Sequence, residues 1–170
     1  DYDNDGFSDL LVTGINRQGV PKTLVYKNLD DLGFEMAFDL IGIGDGAARW
    51  ADINRDGWID LALTGRQSNG TVIGRTLLNQ EGQGFLDTED DFGGMTSASL
   101  EWGDFNQDGW LDLLLSGEEA GEPRTRILEN LKNSQFQSIS QLDGVIDGEA
   151  KWADFNDDGF PDIALTGNSA

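Results

Sequence analysis

Apolar and polar side chains alternate over Ala48–Ile53 and again over Leu100–Phe105, as they do in half-buried strands. Short apolar runs stand at Leu10–Val12, Leu61–Leu63, Leu111–Leu115 and Ile163–Leu165, each ending in Thr-Gly or Ser-Gly, which reads as a turn. A third kind of segment centres on Thr23–Tyr26, Arg75–Leu78 and Thr125–Leu128, and a fourth surrounds Phe34, Phe85 and Phe136. The pattern predicts an all-β chain in which four short strands, A to D, recur.

The recurrence is strict. Asp1–Gly14, Asp52–Gly65, Asp104–Gly117 and Asp154–Gly167 align without gaps, their first residues 51, 52 and 50 positions apart. Trp50, Trp102 and Trp152 stand two residues before an Asp-rich loop, and Asn28, Asn79 and Asn130 each precede a Phe by six residues. Four strands per repeat of roughly 50 residues mark β-propeller blades of four antiparallel strands. The 170 residues hold about three and a quarter blades: strands B-C-D in 1–42, complete blades in 43–93 and 94–143, and strands A-B in 144–170. A closed propeller has typically 4–8 blades. The chain, which opens on Asp1 inside a blade, is therefore expected to be part of a longer propeller or to complete its blades with further copies of itself.

Each loop between A and B has the form D-x-(D/N)-x-D-G-x-x-D. Side-chain oxygens at positions 1, 3, 5 and 9 and the carbonyl of position 7 can converge if the chain curls, and Gly at position 6 permits the curl. Such an oxygen set suits Ca²⁺, whereas Mg²⁺ wants near-ideal octahedral geometry and keeps several waters. Four calcium sites are expected. Asp1, Asp3, Asp5, Asp9 and the Phe7 carbonyl would form the first. Asp52, Asn54, Asp56, Asp60 and the Trp58 carbonyl would form the second. Asp104, Asn106, Asp108, Asp112 and the Trp110 carbonyl would form the third, and Asp154, Asn156, Asp158, Asp162 and the Phe160 carbonyl the fourth. An EF-hand begins with the same ligands but needs an acid at position 12. That position is Val12, Leu63, Leu115 or Leu165 here, inside a strand-like run.

These loops, with the D-(L/I)-x-(L/V)-(T/S)-G that follows, resemble the FG-GAP repeats of integrin α-chain propellers and, more closely, bacterial VCBS-type repeats. The resemblance covers the whole chain. It implies calcium in every A–B loop on one face of a propeller, a secreted or cell-surface protein, and ligand contacts through the B–C and D–A loops of the opposite face. Integrin-type repeats end strand B in Gly-Ala-Pro, which is missing here, so integrin ligand recognition does not transfer.

Composition narrows the choice of function. Eleven Lys and Arg face 32 Asp and Glu, a formal charge of −21, with 23 Asp among the acids. That balance excludes binding to nucleic-acid phosphate, and no apolar run approaches the roughly 20 residues of a membrane span. Thirteen acids sit at the expected ligand positions, and four Ca²⁺ would take −21 to −13. With no His and no Cys there is no His-based catalytic constellation, thiolate site or disulfide. The expectation is a non-catalytic, calcium-binding propeller segment serving adhesion or binding of a protein or carbohydrate ligand. Two alternatives stay open: a lectin stacking sugars on Phe7, Trp58, Trp110 and Phe160, with Arg17, Lys22, Arg66, Arg75, Arg124 and Arg126 offering a basic patch to an acidic glycan, and the scaffold of a polysaccharide lyase or similar enzyme.

Overall fold

A computed structural model of the chain describes residues 1–132 and 134–169. The strands are β1 (Leu10–Ile15), β2 (Pro21–Asn28), β3 (Phe34–Asp39), β4 (Gly44–Ala51), β5 (Asp60–Arg66), β6 (Val72–Asn79), β7 (Phe85–Asp91), β8 (Thr96–Gly103), β9 (Asp112–Glu119), β10 (Glu122–Asn130), β11 (Phe136–Asp143), β12 (Ile146–Ala153) and β13 (Asp162–Asn168). They pair antiparallel between sequence neighbours into the sheets β1-β2-β3, β4-β5-β6-β7, β8-β9-β10-β11 and β12-β13. The protein is thus all-β and built of propeller-type blades. Among the described residues two blades show all four strands, the first shows strands B to D, and the last shows strands A and B.

Period-two alternation decides which side chains meet between blades. On β5, Leu61 and Leu63 face the first sheet and join Ile43, Ala48, Ile73 and Leu77, with Leu11 of β1 packed against them. Ala62, pointing the other way, joins Ala47, Met95, Leu100, Leu113, Leu115 and Leu128 between the second and third sheets. Each fully buried Leu contributes about 1.5–3 kcal/mol of transfer free energy. Leu10 and Val12 occupy in the first sheet the places of Leu61 and Leu63, and with none of the described sheets packed on that face they are 44% and 41% exposed.

Strand boundaries differ from the sequence expectation in two instructive ways. Strand A begins earlier, at Gly44, Thr96 and Ile146, because its first half carries a bulge: the register shifts between Gly44 and Ala47, Thr96 and Ser99, and Ile146 and Glu149. Asp45, Ser97 and Asp147 take the left-handed conformation there, with φ of 52°, 46° and 53°. The Thr-Gly or Ser-Gly pair is not a turn but part of strand B, opposite that bulge. A Cβ on Gly65 would lie 2.8 Å from the Gly44 carbonyl oxygen, so a side chain is excluded. The hydroxyl beside the Gly reaches the next blade. Thr13 Oγ1 donates to the Ile43 carbonyl (3.3 Å), Ser116 Oγ to the Val145 carbonyl (3.3 Å), and Thr64 Oγ1 accepts the Met95 N–H (2.8 Å).

Candidate metal centre

All four Asp-rich loops wind into one coil. The position-1 carboxylate accepts two backbone N–H groups, from positions 5 and 6: Asp5 and Gly6 to Asp1 (3.0 and 2.8 Å), Asp56 and Gly57 to Asp52 (3.1 and 3.0 Å), Asp108 and Gly109 to Asp104 (2.9 and 2.8 Å), Asp158 and Gly159 to Asp154 (3.1 and 2.9 Å). The position-5 carboxylate then accepts the N–H of position 7, from Phe7, Trp58, Trp110 and Phe160, at 2.8–3.0 Å. Asn54, Asn106 and Asn156 accept the position-5 N–H as well. The curl depends on Gly6, Gly57, Gly109 and Gly159, whose φ lies between 87° and 93°.

Position 9 anchors each coil to its blade. Asp60 is fully buried, accepting the Ile53 N–H on one oxygen (2.9 Å) and the Asn79 N–H, at the end of β6, on the other (2.8 Å). Asp9 does the same with Tyr2 and Asn28, and Asp112 with Phe105 and Asn130. Asp162, in the blade without strand C, accepts the Phe155 N–H (3.3 Å). Burial pushes the Asp60 carboxyl up to about 6 against the two N–H bonds that favour its charge, and Asp56 and Asp52 add to the rise. Burial raises Asp112 in the same sense.

The repeated Asn does more than its spacing announces. Asn79 and Asn130 are 3% and 1% exposed. Asn79 Nδ2 donates to the Tyr2 carbonyl of the preceding loop (2.7 Å) and to the Ile59 carbonyl of its own (3.0 Å), while its Oδ1 accepts the Gly82 N–H (2.8 Å). Asn130 repeats this with Ile53 (3.1 Å), Leu111 (3.2 Å) and Lys132 (2.9 Å). Their equal spacing along the chain is the one available signal, and a turn-capping role accounts for only one of the three bonds. A second link runs along the row of loops from position 4. Asn4 Nδ2 donates to the Gly57 carbonyl (3.2 Å), the Arg55 guanidinium lies 5.4 Å from the centre of the Trp110 ring, and Gln107 Nε2 donates to the Gly159 carbonyl. Asp157, the same position in the last loop, is exposed.

The coils fit a divalent cation with oxygen ligands. In the first, Asp1, Asp3 and Asp9 each bring a carboxylate oxygen within 4.8 Å of the other two, and Asp3 Oδ1 is buried without a hydrogen-bond partner. Clustered carboxylates repel one another, and a cation among them removes that cost. Two lysines partly do so. Lys27 Nζ pairs with Asp3 and with Asp5 (2.9 Å), and Lys132 with Asp108 (3.1 Å). The Lys27 bond, followed by the Phe7 N–H, holds the Asp5 carboxyl below its usual range, and Asp3 and Asp5 in turn raise the Lys27 ammonium. For Asp108 the Trp110 N–H is the main cause of a lowered value.

The remaining candidates are largely engaged in the fold. Trp50 packs on Phe85 at 5.9 Å, inside an aromatic group completed by Tyr2 and Phe38 of the first blade. Trp152 stacks on Phe105 of the preceding blade. Trp58 and Trp110 are half-buried within the row, whereas Phe7 and Phe160, at its two ends, are exposed. Of the bases considered for an acidic glycan, Lys22 on β2 pairs with Asp39 (2.5 Å), Arg126 on β10 pairs with Glu119, and Arg75 on β6 donates to the Glu89 carbonyl. No helix among the described residues is long and apolar enough to cross a membrane. The sequence matches the family described as FG-GAP-like repeat over residues 52–115 and 104–165. No curated protein matches it.

Proposed function

Since this chain belongs to the FG-GAP-like repeat family, we propose that it is a calcium-binding, non-catalytic propeller segment of a secreted or cell-surface protein, used for adhesion or ligand binding. One observation carries the calcium reading: in all four loops the position-1 carboxylate takes the N–H groups of positions 5 and 6, and the ninth-position Asp takes the N–H of position 2. Its donors are carboxylates, amide oxygens and backbone carbonyls, the hard ligands that Ca²⁺ takes in sets of 6–8. The ion would bind Asp, Asn and position-7 carbonyl oxygens in each loop and offset their mutual repulsion.

A binding role follows from what the two ends of the blades are doing. At the A–B end, loops and C–D turns are tied together by Asn79, Asn130 and the position-4 side chains. At the other end, the B–C turns around Gln18-Gly19, Asn69-Gly70 and Ala120-Gly121 project with exposed residues and differ in sequence from blade to blade. A rigid base with variable turns suits a ligand-presenting module.

Thermal melting in 1 mM calcium and in excess chelator tests the calcium reading. An ion that binds only the folded state at 100 times its Kd adds about 2.7 kcal/mol, a rise of several degrees. Equal melting temperatures in the two buffers refute it.

A further inference from the structure

The residue just before the repeated Asn stands at one place in three blades, and it differs in charge each time: Lys27, Leu78 and Glu129. In the first and third blades its side chain reaches the Asp-rich coil of its own blade. Lys27 Nζ contacts Asp3 and Asp5, the position-3 and position-5 acids, and Glu129 Oε1 accepts a hydrogen bond from Asn106 Nδ2 at position 3 (3.3 Å). The first coil also departs from the other three at position 3. Asn54, Asn106 and Asn156 accept the position-5 N–H, whereas Asp3 pairs with Lys27 instead. The extra carboxylate and an ammonium that spans two ligand acids come together in the first loop, whereas in the third Lys132 Nζ reaches a single one, Asp108 (3.1 Å).

Resting on the calcium reading above, we propose that Lys27 is a built-in competitor for the cation of the first loop, so that this loop has the lowest calcium affinity of the four. The ammonium engages oxygens of two of the four side chains that would bind the ion. For calcium to use those oxygens, Lys27 must leave or the carboxylates must turn. A positive charge that stays nearby repels the ion as well. At Leu78 there is no such charge, and in the third loop Glu129 sets a negative charge beside position 3 while Lys132 engages only Asp108, so the first loop, with two ligand acids held by one ammonium, binds more weakly than either.

Calorimetric titration with calcium alone, together with native mass spectrometry to count ions, tests this on the chain as it stands. Lys27→Leu, which copies Leu78, is expected to tighten the weakest site about tenfold, the order of effect of one unit charge a few ångströms away in a partly solvated site. The double variant Lys27→Leu with Asp3→Asn copies the second loop and should bind like it, which keeps the test open if the single variant, with Asp3 unpaired, folds poorly. Glu129→Gln should weaken a different site and leave the weakest unchanged. Four equivalent sites in the wild type, or an unchanged weakest site in both Lys27 variants, overturn this inference alone. A wild type that takes up no calcium overturns the calcium reading and this inference with it.

Discussion

Asn79→Ala isolates the bond network that joins one Asp-rich coil to the next. The Asn79 amide makes three hydrogen bonds from a side chain of a residue only 3% exposed: to the Tyr2 carbonyl of the preceding loop, to the Ile59 carbonyl of its own, and from the Gly82 N–H of the following turn. Alanine removes all three and gives the stranded groups no replacement. A typical hydrogen bond contributes about 1 kcal/mol net, and a buried group left unpaired costs about 1–3 kcal/mol. Tyr2 is buried, so its carbonyl bears the larger cost, and the whole change should destabilise by about 3 kcal/mol. Asn28 is the internal control. It makes the equivalent bonds to the Ser8 carbonyl (2.9 Å) and from the Asp30 N–H (3.0 Å), but among the described residues it bonds to no neighbouring loop, and it is more exposed. Asn28→Ala should cost about 1 kcal/mol. Urea unfolding followed by tryptophan fluorescence, in constant calcium, measures both. Equal losses for the two variants, or a loss below about 1 kcal/mol for Asn79→Ala, would refute the idea that the buried amide locks neighbouring loops.

In excess chelator, stability should rise as pH falls from 7 towards 5. The folded Asp60 carboxyl titrates near 6, above its ordinary 3.8, so the folded state holds the proton more tightly and loses stability as pH rises; of about 3 kcal/mol for the full shift, about 1.4 kcal/mol falls between pH 5 and 7 and the rest below pH 5. Asp112 acts in the same direction. Urea midpoints against pH check this, and an equally steep slope in Asp60→Asn would exclude Asp60 as the source. Gly57→Ala and Gly46→Ala separate strain from collision. Gly57 has φ of 87° and open space where a Cβ would stand, so alanine should cost about 1–2 kcal/mol of backbone strain. Gly46 has ordinary φ, but its Cβ would strike the Thr64 carbonyl oxygen and lie 2.6 Å from Gly65 Cα, so the bulge must move and the loss should be larger. Circular-dichroism melts that rank the two the other way would contradict the packing of the bulge.

Much of the architecture was legible because each repeat states it again. Four strands per unit, their order and the Asp-rich coil between A and B all follow from alternation and spacing. The boundaries were not legible where local chemistry argues against the tertiary outcome. The alternation marks strand A only from Ala48, yet Gly44, Asp45 and Gly46 open β4 because the bulge needs one left-handed residue and a glycine that fits under the Thr64 carbonyl. Thr64-Gly65 reads as a turn, yet the strand runs through it because the partner strand bulges opposite. Phe85 reads as the middle of strand D and instead begins it, its ring drawn back over the sheet to meet Trp50, Tyr2 and Phe38. None of these can be inferred from a single repeat, since the deciding contact lies on another strand or another blade.

The ninth-position Asp explains why the candidate metal coil and the blade interface should respond together. As a ligand candidate Asp60 belongs to one loop, but its two oxygens tie the backbone of that loop to Asn79, and Asn79 holds the carbonyl of Tyr2 one blade earlier. Tyr2 in turn donates its N–H to Asp9, the ninth position of the first loop. The same path runs from Asp112 through Asn130 to Ile53 and Asp60. In repeat proteins stability is approximately a sum of unit and neighbour-interface contributions, and here one carboxylate contributes to both. A cation that relieves the repulsion around Asp60 therefore stiffens the second loop and, through Tyr2, the first, while Asn130 carries the effect on to the third. Loss of one ion should loosen adjacent blades and spare those farther along, and amide hydrogen exchange at Tyr2, Ile53 and Asn79 would register it directly.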